Sequence, residues 1–170
     1  MMEAMKSAII SSCGLYRYDL RRDWDANLPP LVLGMLNPSK ADHKIDDPTI
    51  VRGVYRAKTM NCGSLIVWNL GAGRATEPQD WMAMPDPIGP DNDRHIRDIL
   101  TECKGRNGIA VAGWGVYGDF MNRDLAWKSR IPSSYQDREA LLSRFRTILS
   151  SKTPIIVLLT NQVPRQGFEP

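Results

Sequence analysis

Four short apolar runs constrain this chain most: Leu31-Val32-Leu33-Gly34-Met35-Leu36, Ser64 to Leu70, Ile109-Ala110-Val111-Ala112, and Ile155 to Leu159. Each is rich in Val, Ile and Leu and bounded by Gly, Pro, Asn or Thr. Runs this short, with no polar alternation, read as strands buried on both faces, the pattern of a parallel sheet. The intervening segments have helical spacing. Asp47-Pro48-Thr49 opens a helix toward Met60, with proline in the first turn. Pro90-Asp91-Asn92-Asp93 opens a second, with Ile96, Ile99, Leu100 and Cys103 on one stripe. Tyr117 to Trp127 reads as helical. Tyr135 to Leu149 reads as a further helix, with Leu141, Leu142, Phe145, Ile148 and Leu149 aligned. Ahead of these, the alternation Tyr16, Tyr18, Leu20 predicts an antiparallel edge strand in a hairpin with Ala8 to Cys13. The expectation is an α/β fold: a three-layer α/β/α sandwich with a short, mainly parallel central sheet and antiparallel N-terminal edge strands.

A chain of 170 residues fits one domain over 1–170 and buries about 70% of its extended-chain surface. Hydrophobic residues at 42% and charged residues at 24% exclude a disordered or fibrous chain. No apolar run is long enough to predict a transmembrane helix. The start, Met1 to Ser12, lacks the apolar core of a signal peptide, so a cytoplasmic location is expected. Three scattered cysteines (Cys13, Cys62, Cys103) and two histidines (His43, His95) predict neither a disulfide framework nor a Cys/His metal centre. A net charge of +3, from 22 cations against 19 anions, permits a nucleic-acid partner without demanding one.

In an open α/β sheet, ligands bind at the carboxyl rim of the parallel strands. The loops assigned to that rim carry Asn37-Pro38-Ser39 with Asp42, Asp46, Asp47 and Arg52, then Asn69 to Pro78, then Gly113-Trp114-Gly115, then Thr160 to Arg165. Asn37 on a proline-stiffened turn is either turn chemistry or a fixed amide facing water or a base edge. One of the three aspartates, or two, caps the helix. The remainder offers a general base or magnesium ligation. Gly71-Ala72-Gly73-Arg74 lacks the residues of a phosphate loop and reads as a tight turn whose Arg74 can clamp a phosphate. Trp114, between two glycines, is either a core residue or a stacking platform for a base.

Tyr16-Arg17-Tyr18 with Leu20 and Trp24, Met35-Leu36-Asn37-Pro38-Ser39 with Ala41-Asp42, Asp46-Asp47-Pro48-Thr49-Ile50, Asn69-Leu70 with Arg74-Ala75-Thr76 and Pro78, and Gly89-Pro90 with Asn92-Asp93 together resemble the bacterial and phage domain of unknown function 1643. The match runs in order over nearly the whole chain. More distantly, a strand ending in Leu-Asn-Pro-Ser is similar to the first motif of the uracil-DNA glycosylase superfamily, in which the polar residue positions water near the glycosidic bond. That superfamily has the same three-layer fold. Its second motif, a His-Pro pair after the last strand, has a counterpart Pro-Arg-His-Pro in the present family. This chain reads Pro164-Arg165-Gln166-Gly167 there, so no imidazole is implied.

Two functional readings are open. In the first, the chain is a glycosylase-type hydrolase acting on a nucleobase in DNA without a metal. Asn37, Asp42 and Asp47 are the catalytic candidates. Pro38, Ser39, Asn69, Arg74, Thr76, Trp114 and Gly115 hold the base or nucleotide, and Arg17, Arg52 and Arg165 hold phosphates. In the second, the same rim binds or processes a small nucleotide, with magnesium on the aspartates. A non-catalytic interaction module is the remaining alternative. A duplex binder needs a continuous basic stripe, whereas a nucleotide binder needs only a pocket.

Overall fold

A computed structural model describes residues 4–39, 41–114, 116–128 and 156–159. The expected helix over 135–149, together with Gly115, Arg165 and Gln166, lies outside the described residues. The strands are β1 (Met5–Ile10), β2 (Arg17–Asp23), β3 (Pro30–Met35), β4 (Ser64–Asn69), β5 (Ile109–Ala112) and β6 (Ile156–Leu159). The helices are α1 (Pro48–Thr59), α2 (Pro78–Met82), α3 (Asn92–Gly105) and α4 (Arg123–Lys128). A 3₁₀ segment, Val116–Asn122, precedes α4 and is kinked at Phe120 and Met121. Among the described residues, no helix is long and apolar enough to cross a membrane.

The strands form one mixed sheet in the order β1-β2-β4-β3-β5-β6. β3 pairs in parallel with β4 and with β5, while β1-β2 and β2-β4 are antiparallel. The last strand departs from expectation. β6 runs antiparallel to β5, with Leu159 opposite Ile109 and Ile156 opposite Ala112. Leu159, the end of β6, therefore lies at the amino rim, and Thr160 to Arg165, expected at the carboxyl rim, lie outside the described residues. Among the described residues the parallel portion is the trio β4-β3-β5.

The trio is covered on both faces, which is why its strands lack alternation in sequence. Leu31, Leu33, Leu65, Val67, Ile109 and Val111 pack on one face with Ile50 and Ala57 of α1. Val32, Ile66, Trp68, Ala110 and Ala112 pack on the other with Ile96, Ile99 and Cys103 of α3 and Trp127 of α4. α1 starts where Asp47 accepts hydrogen bonds from the backbone N–H groups of Thr49 and Ile50, which satisfies two otherwise orphaned donors.

β2 contains a bulge that the alternation of Tyr16, Tyr18 and Leu20 does not reveal. Ile9 pairs with Asp19, but its neighbour Ile10 pairs with Arg17, which leaves Tyr18 as the inserted residue. A bulge reverses the facing of everything beyond it. Leu20 packs in the α1-side core, whereas the Tyr18 ring stacks on His95 of α3 at 4.9 Å. Tyr16 stacks on Tyr18 in turn at 6.1 Å. Gly89, at φ +85°, lies so close beneath Tyr16 that a Cβ there would come within 2.8 Å of the ring. Arg17 is delivered to the opposite side, over the β3–α1 loop.

Gly34 leaves room for the indole of Trp68; a Cβ there would lie 2.5 Å from Cζ2 and 2.7 Å from Cε2. Trp68 is itself wedged against Trp114 and Trp127. Gly34→Val is therefore expected to lower stability by about 1–3 kcal/mol through overpacking. The urea midpoint should fall at unchanged denaturant slope; an unchanged midpoint would contradict this account of the layer.

Candidate functional site

The carboxyl ends of β3 and β4 are tied into one rim by their own backbones. Leu70 and Gly71 donate to the carbonyls of Met35 (2.8 Å) and Leu36 (3.1 Å), and Ala75 donates to Pro38 (3.0 Å). β2 starts at the same rim. Arg17 N donates to Ala72 O and Arg74 N to Leu15 O, both at 2.9 Å, on either side of the Tyr16–Gly73 bridge. The hairpin turn, the β3–α1 loop and the β4–α2 loop thereby converge.

Asn37 sits at the end of β3. Its Nδ2 donates to Ala75 O at 2.8 Å and to Pro38 O at 3.3 Å. The amide is thereby fixed in orientation, with Oδ1 left as an acceptor that receives no hydrogen bond from the described residues. Pro38 is buried and Ser39 half-buried. Ser39 Oγ donates to Asp47 Oδ2 at 2.7 Å, while Asp47 Oδ1 caps α1.

The three aspartates have three separate tasks. Asp42 Oδ1 accepts from the backbone N–H groups of Lys44 (2.7 Å) and Ile45 (2.9 Å), which holds its carboxyl below the usual range. Burial pushes Asp46 up, but hydrogen bonds from Lys6 (2.8 Å) and Arg22 (2.7 Å) outweigh it and leave the carboxyl below its ordinary value. Asp47 is a helix cap. The three do not converge on a common point, and among the described residues no group of three His, Cys, Asp or Glu side chains is placed to hold a metal ion.

Arg17 departs most from a surface phosphate ligand. It is 3% exposed. Nη1 donates to Ala41 O at 2.6 Å and Nη2 to Asn69 Oδ1 at 3.3 Å, while its Nε is buried with no partner among the described residues. Burial is the main reason that its pKa falls to about 10, with a contribution from the nearby charge of Arg74 and a counter-effect from Asp47. It remains fully cationic at neutral pH. Asn69 is buried, and its side-chain oxygen supports Arg17, not an incoming base. Arg74 donates to Gly14 O at 3.2 Å, and its Nε is also buried without a partner among the described residues.

The remaining candidates fall elsewhere. Trp114 is 6% exposed and belongs to the α3-side core, against Trp68. Its flanking space is filled from within, since a Cβ on Gly118 would collide with the indole. Of the two readings open for Trp114, a core residue or a stacking platform, its burial against Trp68 fits the core residue. Thr76 is exposed in the β4–α2 loop and Arg52 is exposed on α1.

Sequence reasoning missed two buttresses. Asn92, fully buried at the start of α3, donates through Nδ2 to Asn69 O (3.0 Å) and Leu70 O (3.1 Å). Arg123 Nε donates to Leu70 O at 2.9 Å while its guanidinium pairs with Asp93. The Gly89-Pro90-Asp91-Asn92-Asp93 run carried a signal for the first as a helix start. The second joins residues too distant in sequence to read.

The carboxylates set the acid response of this rim. Asp42 and Asp46 have folded pKa values below their unfolded values. Their contribution is complete above the unfolded value of about 4 and is lost as pH falls through the lower folded values. Urea midpoints of Asp42→Asn and Asp46→Asn should fall less steeply than the wild type's on acidification below about pH 4. Parallel acid limbs would refute this assignment.

Neither a curated protein nor a solved structure matches the chain. The sequence profile described as protein of unknown function (DUF1643) matches residues 17–149. That span begins at the buried Arg17 and takes in the whole β2-β4-β3-β5 arrangement with both rim loops, so the chain belongs to the DUF1643 family.

Proposed function

We propose that the rim formed by β3 and β4 binds a nucleotide, and that the protein is a glycosylase-like hydrolase of its N-glycosidic bond, with DNA the first substrate class to test. The observation that carries this is Asn37. Its amide protons are spent on two backbone carbonyls, which leaves Oδ1 as an oriented acceptor at the tip of a buried strand. An acceptor so fixed can hold a water by one of its protons or accept from a base edge. In the reaction, water oxygen bonds to C1′ and the glycosidic bond breaks with its electron pair leaving on the base. The proton released by water balances the one the base takes up.

Asp42 supports this reading as charge. Its carboxyl stays ionised and can stabilise a cationic sugar, but it is a poor proton acceptor. Asp47 serves by holding Ser39 and the start of α1. The uracil-DNA-glycosylase-like fold is part of this proposal, supported by an Asn-Pro turn ending a parallel strand with helices on both sheet faces.

A second reading, a small-nucleotide binder or processor, is favoured by the charge layout. Arg21 pairs with Asp19 and Glu102, Arg22 with Asp46, Arg94 with Asp91, Arg106 with Glu102 and Arg123 with Asp93. These pairings take five arginines out of any basic stripe, so a duplex contact would have to be built from other cations such as Arg52, Arg56 and Lys58 of α1. Magnesium belongs to this reading, held by phosphate oxygens together with Asp42.

The deciding experiment incubates single- and double-stranded oligonucleotides bearing uracil, mismatches or modified pyrimidines with wild type and Asn37→Ala, with and without EDTA. Alkali-labile breaks unaffected by EDTA and reduced about 10²-fold or more in Asn37→Ala are expected. No breaks with any substrate, from protein shown to be folded, would reject excision from DNA. Turnover of free nucleotides that EDTA abolishes would establish the second reading.

A further inference from the structure

We infer that this rim contains a built phosphate subsite on Arg17 and Arg74, and that the group it takes is a phosphate monoester, making a free nucleotide its substrate class in preference to a strand interior. The inference rests on the second reading above, the rim as a small-nucleotide site, and it adds the part of the ligand that the arginines recognise.

The two side chains share one face. Tyr16 bridges Gly73 in an antiparallel sense, so Leu15 stands opposite Arg74 and Arg17 opposite Ala72. Opposed residues, and residues two apart on one strand, project from the same face. Arg17 and Arg74 are therefore diagonal neighbours. Their mutual repulsion contributes to the depressed pKa of Arg17.

Two like charges placed together at a largely buried position are costly unless an anion joins them. Arg21, Arg22, Arg94, Arg106 and Arg123 each have a bonded carboxylate. Among the described residues, Arg17 and Arg74 bond only neutral oxygens: Ala41 O and Asn69 Oδ1 for Arg17, and Gly14 O for Arg74. Each also holds a buried Nε with no acceptor among those residues.

The charged groups around them do not fill this need. Arg22 is near Arg17 but is paired with Asp46. Asp47 attracts Arg17 from a distance, yet both its oxygens are occupied by Ser39 and the α1 cap. Asp42 feels Arg74 but spends Oδ1 on its own loop. Asp19 also attracts Arg17, but its Oδ2 holds Arg21 and its buried Oδ1 makes no hydrogen bond to either arginine. Among the described residues no carboxylate bonds Arg17 or Arg74, and guanidinium donors remain unused. A phosphate, with several acceptor oxygens, fits such a pair of forks.

The choice of monoester comes from the donors. A monoester presents three terminal oxygens, against two for a diester, to two guanidiniums of which Arg17 is 3% exposed and holds a buried unpartnered Nε among the described residues. Arg74, half-buried and nearer the solvent, makes the first contact.

The test is isothermal titration of the full chain with inorganic phosphate, with the deoxynucleosides of uracil and the four common bases, with their 5′-monophosphates, and with a dinucleoside monophosphate as the diester. At least one monophosphate should bind about 10-fold or more tightly than its nucleoside and than the diester, and Arg74→Gln should remove that advantage. Arg17→Lys, checked for folding by thermal denaturation, keeps the charge without the fork and should weaken the monophosphate by a smaller factor. Equal binding of nucleoside and monophosphate, or an unaltered monophosphate affinity in Arg74→Gln, overturns the subsite while leaving the nucleotide reading intact. Phosphate binding lost in Arg74→Gln, with no gain from any nucleoside, supports the subsite and rejects the nucleotide reading. Binding of neither phosphate nor any monophosphate overturns the inference.

Discussion

A strand buried on both faces has no side on which to carry chemistry. In this protein β4, β3 and β5 are enclosed between α1 on one face and α3 with α4 on the other. Side chains along those strands are taken up by packing, and polar groups there would lack partners. Polar side chains are displaced to the strand ends, where the backbone turns and the layers open. The clustering of Asn37, Asn69, Arg74 and Arg17 at one rim is a result of that exclusion. Their spacing is set by strand register, not by the side chains themselves.

How far this was legible varies by element. The strands of the parallel trio and the helices α1 and α3 were plain, because burial on both faces leaves unbroken apolar runs and burial on one leaves a helical stripe. The rim was legible for the same reason: the residues after a buried strand must form a loop at its end. The direction of β6 was not, since an apolar run of four residues looks alike in either sense. Nor was the bulge at Tyr18. Tyr16, Tyr18 and Leu20 alternate convincingly, and only the pairing partner shows the extra residue. That one insertion decides on which face of β2 Arg17 lies.

Trp114 and the aspartates show a different difficulty. Flanking glycine suggested access for a ligand, but Gly118, further along the same chain, is what the indole uses. Three aspartates in one loop suggested a shared task, yet each answers a local demand: a turn, an ion pair with Arg22 and Lys6, and a helix cap. Sequence proximity indicates that residues of one type gather in a segment. It does not indicate which neighbour claims each one, because those neighbours come from β1, β2 and the loop backbone.

The two donors on Leu70 have a mechanical consequence. Its carbonyl accepts from Asn92 at 3.1 Å and from Arg123 at 2.9 Å, while Asn92 also secures the carbonyl of Asn69. The end of β4 is thereby bolted to α3 and α4 from behind, and its loop meets the solvent as a stiff edge. Whatever docks there meets a surface whose ordering cost was met during folding. Discrimination then rests on shape, because a partner that fits poorly finds no compliant backbone to accommodate it.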